Sequence, residues 1–325
     1  MNTLIINPGS SNVKFSLYEN DSVYMKGKIE FDNKIINAVG KSILNKIKKF
    51  GVKKIDKIAY RVVYSGKYKE HCIINSNVLN ELRKTTELSP NHMPQTIKLI
   101  EFFMKNTKAV HIACFDAVFH NSMPEISKIY AIPLKLTERY DIQRFGFHGL
   151  AHQAMSEKAD ASKVITCQLG NGVSVSAVKN GKCIDTSMGF TPLEGLMMGT
   201  RSGNIDPALI EYLCRKEKKN VSEMIKMLQK ESGLKGIAGE SDMMVLLKRK
   251  DYRAKLAVDM FCYAVKKQIG AYIAALNGAD CIVFGGGISS NPSIIAKIMQ
   301  GIKAKHIVYD ADEQEVMLRI SRRLK

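Results

Sequence analysis

Val164-Ile-Thr-Cys-Gln-Leu-Gly-Asn-Gly-Val-Ser-Val-Ser-Ala-Val178, followed by Asn180-Gly181, decides the fold. Val164 to Cys167 is an apolar run of strand length. Leu169-Gly170-Asn171-Gly172 is a tight turn. Val173, Val175 and Ala177 then alternate with Ser174 and Ser176, the period of a second strand, and Asn180-Gly181 signals a hairpin. The same order stands about 161 residues earlier, at the start of the chain. Thr3-Leu4-Ile5-Ile6-Asn7 is a strand and Pro8-Gly9-Ser10-Ser11 a turn. Val13, Phe15 and Leu17 alternate with Lys14 and Ser16, and Glu19-Asn20-Asp21 turns the chain again. Each half thus opens with strand, glycine turn and strand, which reads as an internal duplication.

Working outward, 325 residues predict about two domains. A chain that is 45% hydrophobic and 25% charged can bury sizeable cores, which excludes disordered, collagenous and coiled-coil classes. Helical periodicity covers Asn33 to Phe50, Ser76 to Arg83, Pro94 to Lys105, Pro207 to Arg215, Val221 to Glu231 and Tyr252 to Leu276. Cys281-Ile282-Val283-Phe284 reads as a buried strand entering Gly285-Gly286-Gly287, with a helix from Ser293 to Ile302. No low-complexity linker separates the halves, so the expectation is two α/β domains packed around a cleft with a hinge.

No apolar run is long enough to span a membrane, and the N-terminus has neither a basic region nor a signal-peptide core. The expected location is the cytoplasm. The cysteine count, 7, is odd and contains no CxxC pair, so reduced thiols are expected rather than a disulfide or zinc framework. The formal charge is +18. The basic residues are nonetheless scattered in small clusters (Lys46 to Lys49, Lys216 to Lys219, Lys248 to Lys250), without a basic arm or aromatic stripe. No nucleic-acid partner is expected, and a positive field favours small anionic substrates.

Four glycine-rich turns expose backbone N–H groups that can cradle a phosphate: Asn7 to Lys14, Gln168 to Gly172, Gly199-Thr200-Arg201-Ser202-Gly203, and Gly285 to Asn291. Neither a GxxxxGK[ST] nor a strand-to-helix GxGxxG segment occurs, which disfavours P-loop and dinucleotide folds.

Leu4-Ile-Ile-Asn-Pro-Gly-Ser-Ser-Asn-Val-Lys14 and Asp185-Thr-Ser-Met-Gly-Phe-Thr-Pro-Leu-Glu-Gly-Leu-Met-Met-Gly-Thr-Arg-Ser-Gly-Asn-Ile-Asp-Pro207 resemble the two signatures of the acetate kinase family of carboxylate kinases. Phe115-Asp116-Ala-Val-Phe-His120 and Arg144-Phe-Gly-Phe-His148-Gly149 resemble further blocks of that family. The resemblance covers essentially the whole chain, although typical members are longer. It implies the actin, Hsp70 and sugar-kinase architecture: two duplicated ribonuclease-H-like α/β domains around a nucleotide cleft. The first would span 1–121 with 317–325, the second 122–316. It also implies reversible transfer of the ATP γ-phosphoryl to acetate, with Mg²⁺ (or Mn²⁺) as the metal and a homodimer as the assembly.

The same resemblance implies the site. Arg61 and Arg201 would hold carboxylate and phosphoryl oxygens, His148 would donate to the moving phosphoryl, and Asp116 is the acidic catalytic residue. Asn7 and Glu315, or Glu313 if the register slips, would position the metal. The acyl group would meet Val63, Asn91, Phe147 and Pro192. The nucleotide would meet Lys14, Gln168, Leu169, Gly170, Asn171, Gly172, Asp242, Met243, Met244, Gly287, Ile288, Ser289, Ser290 and Asn291. Because a carboxylate is already ionised at neutral pH, no base is needed to create the nucleophile, so Asp116 is expected to orient an arginine or a metal-bound water.

The chain departs from the family pattern at Asn12, at Tyr60 and Tyr64, at Ser65-Gly66-Lys67, at Met244, at Ser289-Ser290 and at Asn91. The phosphoryl-transfer set is kept while nucleotide and acyl contacts differ. A kinase for another short carboxylate or another donor therefore stays open, as does a degenerate nucleotide-binding scaffold; retention of Arg61, Asp116, His148 and Arg201 argues against the scaffold.

Overall fold

Leu4, Ile5 and Ile6 are all fully buried, and a strand without polar alternation needs cover on both faces. That places β1 (Asn2–Pro8) inside its sheet. The computed structural model describes residues 1–9, 12–31, 36–89 and 92–324. Ser10 and Ser11 of the first turn, the Asn33 start of the first expected helix, and Asn91 lie outside the described residues.

β1 pairs antiparallel with β2 (Asn12–Glu19), with Asn7 opposite Lys14, and β2 continues into β3 (Ser22–Glu30). On its other side β1 runs parallel to β4 (Lys57–Val62), which runs parallel to β6 (Val110–Phe115). The short β5 (Cys72–Ile73) closes the edge antiparallel to β6, giving the order β3-β2-β1-β4-β6-β5. The helices of this unit are α1 (Ile36–Lys49), α2 (Ser76–Lys84), α3 (Met93–Asn106) and α13 (Glu313–Arg323). α1 buries Ile36, Val39, Ile43 and Ile47, one stripe at helical spacing. α13 packs on β1, β4 and β6.

The second unit repeats the plan. β7 (Lys163–Leu169) pairs antiparallel with β8 (Val173–Lys179), which pairs antiparallel with β9 (Lys182–Thr186). β7 also runs parallel to β10 (Cys281–Gly285), and β10 to β11 (Lys305–Val308), in the order β11-β10-β7-β8-β9. Even the irregularities correspond: the third strand carries one extra residue, Tyr24 opposite Leu17/Tyr18 in one sheet and Ile184 opposite Ala177/Val178 in the other. The helices are α4 (Glu125–Lys128), α5 (Leu134–Tyr140), α6 (Gly149–Ala159), α7 (Pro207–Glu217), α8 (Val221–Lys230), α9 (Gly233–Ala238), α10 (Met243–Lys248), α11 (Tyr252–Ala275) and α12 (Pro292–Met299).

The two compact units are 1–119 with 312–325, and 120–311. The chain re-enters the first unit at Asp312 rather than at residue 317, because Asp312 caps α13 by accepting from the Gln314 N–H at 2.9 Å. Among the described residues no helix is long and apolar enough to cross a membrane.

Candidate active site

In the first unit the side chains of interest stand at the C-terminal ends of the three parallel strands, where open α/β sheets bind ligands. Asn7 is near the end of β1, Arg61 near the end of β4, and Asp116 directly follows β6. The Asp116 N–H donates to the Val62 carbonyl at 2.9 Å, which fixes its backbone against β4. Arg61 donates to a single carboxylate oxygen of the fully buried Asp116, from Nε at 2.9 Å and from Nη2 at 2.8 Å. Its remaining nitrogen, Nη1, lies 3.1 Å from Glu313 Oε2 and 3.4 Å from Asn7 Oδ1. Asn7 Nδ2 donates to the same Glu313 oxygen at 2.7 Å. Burial opposes the charge on Arg61, but Asp116 and Glu313 more than offset it, so its pKa is held above the ordinary arginine value. His71 supports this corner from behind. Its Nδ1 accepts the Phe115 N–H at 3.1 Å and its ring stacks on Phe115, next to Asp116.

The glutamate beside Asn7 is Glu313 and not the expected Glu315. Two steps along a helix rotate a side chain by about 200°, so only one of the pair can face β1 and β4. Asp312 at the cap makes Glu313 the first helical residue and turns it inward, while Glu315 is exposed. Lys14 is exposed on β2, and Val63 is half-buried just past β4.

In the second unit His148 ends a sharp turn in the left-handed region, φ 55°, immediately before α6. Two features hold it there. His120 Nε2 donates to the Phe147 carbonyl at 2.9 Å, and Gly146, at φ 74°, leaves room for the His120 ring, whose Cδ2 would lie 2.5 Å from a Cβ. Burial brings His120 down to about 4, so it is neutral; with its proton on Nε2, its Nδ1 accepts from the Cys183 thiol at 3.2 Å. His148 Nδ1 lies 2.8 Å from Ser174 Oγ on β8. At Gly172 a Cβ would stand 3.2 Å from His148 Nε2 and 3.6 Å from Arg201 Nη1, so the glycine turn between β7 and β8 borders both groups.

Arg201 is held at the Pro192 carbonyl, 3.3 Å from Nη1, and burial lowers its pKa. The loop that carries Pro192 is tied down at Glu194. That carboxylate pairs with Arg144 at 2.8 Å and accepts from the Tyr130 hydroxyl, which in turn accepts the Phe190 N–H at 2.7 Å. Phe147 is buried and Pro192 half-buried.

The expected nucleotide residues of this unit also gather at strand ends. A Cβ on Gly286, at φ 83°, would lie 2.5 Å from the Leu169 carbonyl, and one on Gly285 3.2 Å from Gln168 Oε1. Gly199 approaches Asn171 Oδ1 and the Ser241 carbonyl in the same way. Gly287 opens onto free space. Several side chains serve the local fold instead. Ser289 and Ser290 donate to the Gly286 and Gly287 carbonyls, and Asn291 caps α12. Asp242 caps α10, burying Met243 and leaving Met244 half-buried; Ile288 is half-buried. Among the described residues no three His, Cys, Asp or Glu side chains are arranged to hold a metal ion.

A strand-turn-strand plan opening each of two α/β units is the fold of the actin, Hsp70 and sugar-kinase type. The sequence pattern of the acetokinase family matches residues 33–323. The acetate kinase of Acetivibrio thermocellus is 40% identical over 363 aligned residues, spanning 97% of this chain and 90% of the relative. The crystal structure of a propionate kinase from Francisella tularensis superposes with a TM-score of 0.92 at 31% identity, covering 100% of both chains. That of the Porphyromonas gingivalis acetate kinase gives 0.89 at 29% identity over 99% of each. The chain belongs to the acetokinase family, kinases whose acceptor is a carboxyl group.

Proposed function

We propose that this chain transfers the γ-phosphoryl group of ATP to acetate, reversibly and in line, giving acetyl phosphate and ADP. The observation that carries the reading is the cluster of Asn7, Arg61, Asp116 and Glu313 at the ends of three parallel strands. The acceptor is an anion and so is the group it attacks; the work is to offset repulsion and to hold the reactants in line. Asp116 orients Arg61 and takes no proton from the acceptor. In the second unit Arg201, a planar cation that stays charged despite its burial, and His148 border one glycine turn and are suited to phosphoryl oxygens. The family resemblance assigns Val63, Asn91, Phe147 and Pro192 to the acyl group, and Lys14 and the glycine turns to the nucleotide.

The cluster itself supports a divalent cation. One guanidinium faces two carboxylates, so the set lacks positive charge for an anionic ligand. Glu313 and Asn7 Oδ1 are hard oxygen donors, and Mg²⁺ takes one or two such side chains with water and phosphate oxygens, not a full protein cage. Mg²⁺, or Mn²⁺ in its place, supplies charge neutralisation on the nucleotide phosphates when bound. Seven free cysteines fit the cytoplasm, and the family resemblance supports a homodimer.

Trapping acyl phosphate with hydroxylamine across acetate, propionate and butyrate, with ATP and Mg²⁺, tests the reading. Acetate is expected to give the highest kcat/KM. A higher value for propionate would favour the second acceptor, which the match to the Francisella propionate kinase supports. Nucleotide binding with no acyl hydroxamate from any acid would favour the scaffold.

A further inference from the structure

Behind His148 the second unit holds a line of polar groups that the phosphoryl-transfer set does not include. Ser174 Oγ is 2.8 Å from His148 Nδ1 and 2.7 Å from His152 Nε2. On its far side, His152 Nδ1 is 2.7 Å from Thr166 Oγ1. Thr166, His152 and Ser174 are each fully buried. Burial, with His120 and His148 close by, holds the His152 pKa well below its ordinary value, so this imidazole is neutral.

A neutral imidazole has one N–H and one lone pair, and a hydroxyl donates one hydrogen. The line therefore has two self-consistent directions. In the first, Thr166 donates to His152 Nδ1, His152 Nε2–H donates to Ser174, and Ser174 donates to His148 Nδ1; the proton of a neutral His148 is then on Nε2. In the second every bond reverses, His148 carries its proton on Nδ1, and Nε2 is a lone pair. The second direction also turns the Thr166 hydroxyl away from His152. The acceptor then offered, the Ser176 carbonyl, is 3.5 Å away, beyond the usual range for an O–H···O bond.

We propose that Thr166, His152 and Ser174 are positioning residues that hold neutral His148 as its Nε2–H tautomer, so that the nitrogen bordering Gly172 and Arg201 donates to a phosphoryl oxygen instead of repelling it. The proposal rests on the reading of His148 as a donor to the transferred group. It explains why a serine occupies an inward position of β8, where a polar side chain needs partners on both sides.

The test begins with the unaltered protein. In ¹⁵N-histidine NMR near neutral pH, with His148 assigned by loss of its signals in His148→Ala, Nε2 is expected to be pyrrole-like and Nδ1 pyridine-like. The opposite pattern overturns the proposal, whatever the variants do. In kinetics, Ser174→Ala is expected to lower kcat at least about tenfold, as when a group orienting a working imidazole is lost. KM for both substrates should stay within about twofold. His152→Leu should behave alike, while His152→Gln, whose amide can donate to Ser174, should recover several-fold over His152→Leu. Normal turnover in His148→Ala would remove the reading of the site. A crippled His148→Ala beside a Ser174→Ala of normal kcat and unchanged tautomer would remove the relay alone.

Discussion

Arg61 is tied to its neighbours more tightly than a substrate-binding arginine read from a motif would be. It is the partner of a fully buried carboxylate, so its loss has two consequences that can be separated. Arg61→Ala is expected to lower kcat by about 10²–10⁴, the range for removing a strong electrostatic contact in a transition state. It should also destabilise the fold by about 3–5 kcal/mol, because Asp116 stays buried without its cation. Adding Asp116→Asn should restore much of that stability, read by denaturant unfolding, and none of the turnover. Recovery of turnover in the double variant would mean that Arg61 acts only as a structural counter-ion. The glutamates offer a second contrast. Glu313→Gln is expected to raise the Mg²⁺ concentration for half-maximal activity by about tenfold or more, and Glu315→Gln to leave it near the parent value; the reverse order would return the metal role to Glu315. Arg61, Asp116, His148 and Arg201 were picked out from the sequence because each sits in a dense motif. Glu313 was held only as the alternative to Glu315, since the two glutamates differ only in helix phase. The missed signal was local: an aspartate three residues before Glu315 is a helix-cap pattern, which starts α13 at Glu313. His152 had a signal too, one turn after His148 on the same helix.

Strands set off by turns and helices with an amphipathic period were read from the sequence; β4, β6 and α6, which have neither signal, were not. β1, β2, β7 and β8 were visible because glycine turns separate runs of period two. β4 and β6 passed unnoticed: parallel strands covered on both faces show no alternation, and the only polar side chains in Val110–Phe115 and Ile58–Val62 are His111 and those of the tyrosine and arginine at 60 and 61. α6 was missed because seven of its eleven residues are buried, which leaves no polar face to give a helical period. The turns themselves can be ranked by physics. Gly181 and Gly286 both have positive φ, 74° and 83°, but a Cβ on Gly181 meets nothing within 4 Å whereas one on Gly286 meets the Leu169 carbonyl at 2.5 Å. Gly181→Ala should cost about 1 kcal/mol, the backbone penalty alone, and Gly286→Ala clearly more, since a backbone atom has to move as well. Equal losses in a chemical denaturation series would show that the β10 turn is not held against β7 as described. Asp312→Ala removes the cap of α13 and should cost about 1 kcal/mol; because Glu313 is the next residue, the requirement for Mg²⁺ should rise with it.

Across the molecule, three buried histidines, His111, His120 and His152, and the half-buried His71 are expected to make stability depend on pH, two in each unit. In the first, burial and then Arg323 bring His71 down to about 4, and burial does the same for His111, which bonds the Tyr60 hydroxyl at 2.8 Å. In the second, His120 is at about 4 and His152 lies well below 6.5. Each folded pKa is below the unfolded value of 6.5, so as pH falls the unfolded chain takes up protons that the folded chain refuses. Their contribution is intact above pH 6.5 and is lost progressively as pH falls, toward about 4 for His71, His111 and His120, with a slope approaching about 1.4 kcal/mol per pH unit for each histidine. Because the histidines are divided evenly, amide hydrogen exchange should report loss of protection in both sheets over the same pH interval, not in one alone. A single replacement, His71→Gln or His111→Gln, should flatten the pH dependence of the first sheet by about one proton and leave that of the second unchanged. Stability that holds level between pH 6.5 and 5 would mean that these rings are hydrated and titrate as they do in the unfolded chain, and the buried positions assigned to them would be wrong.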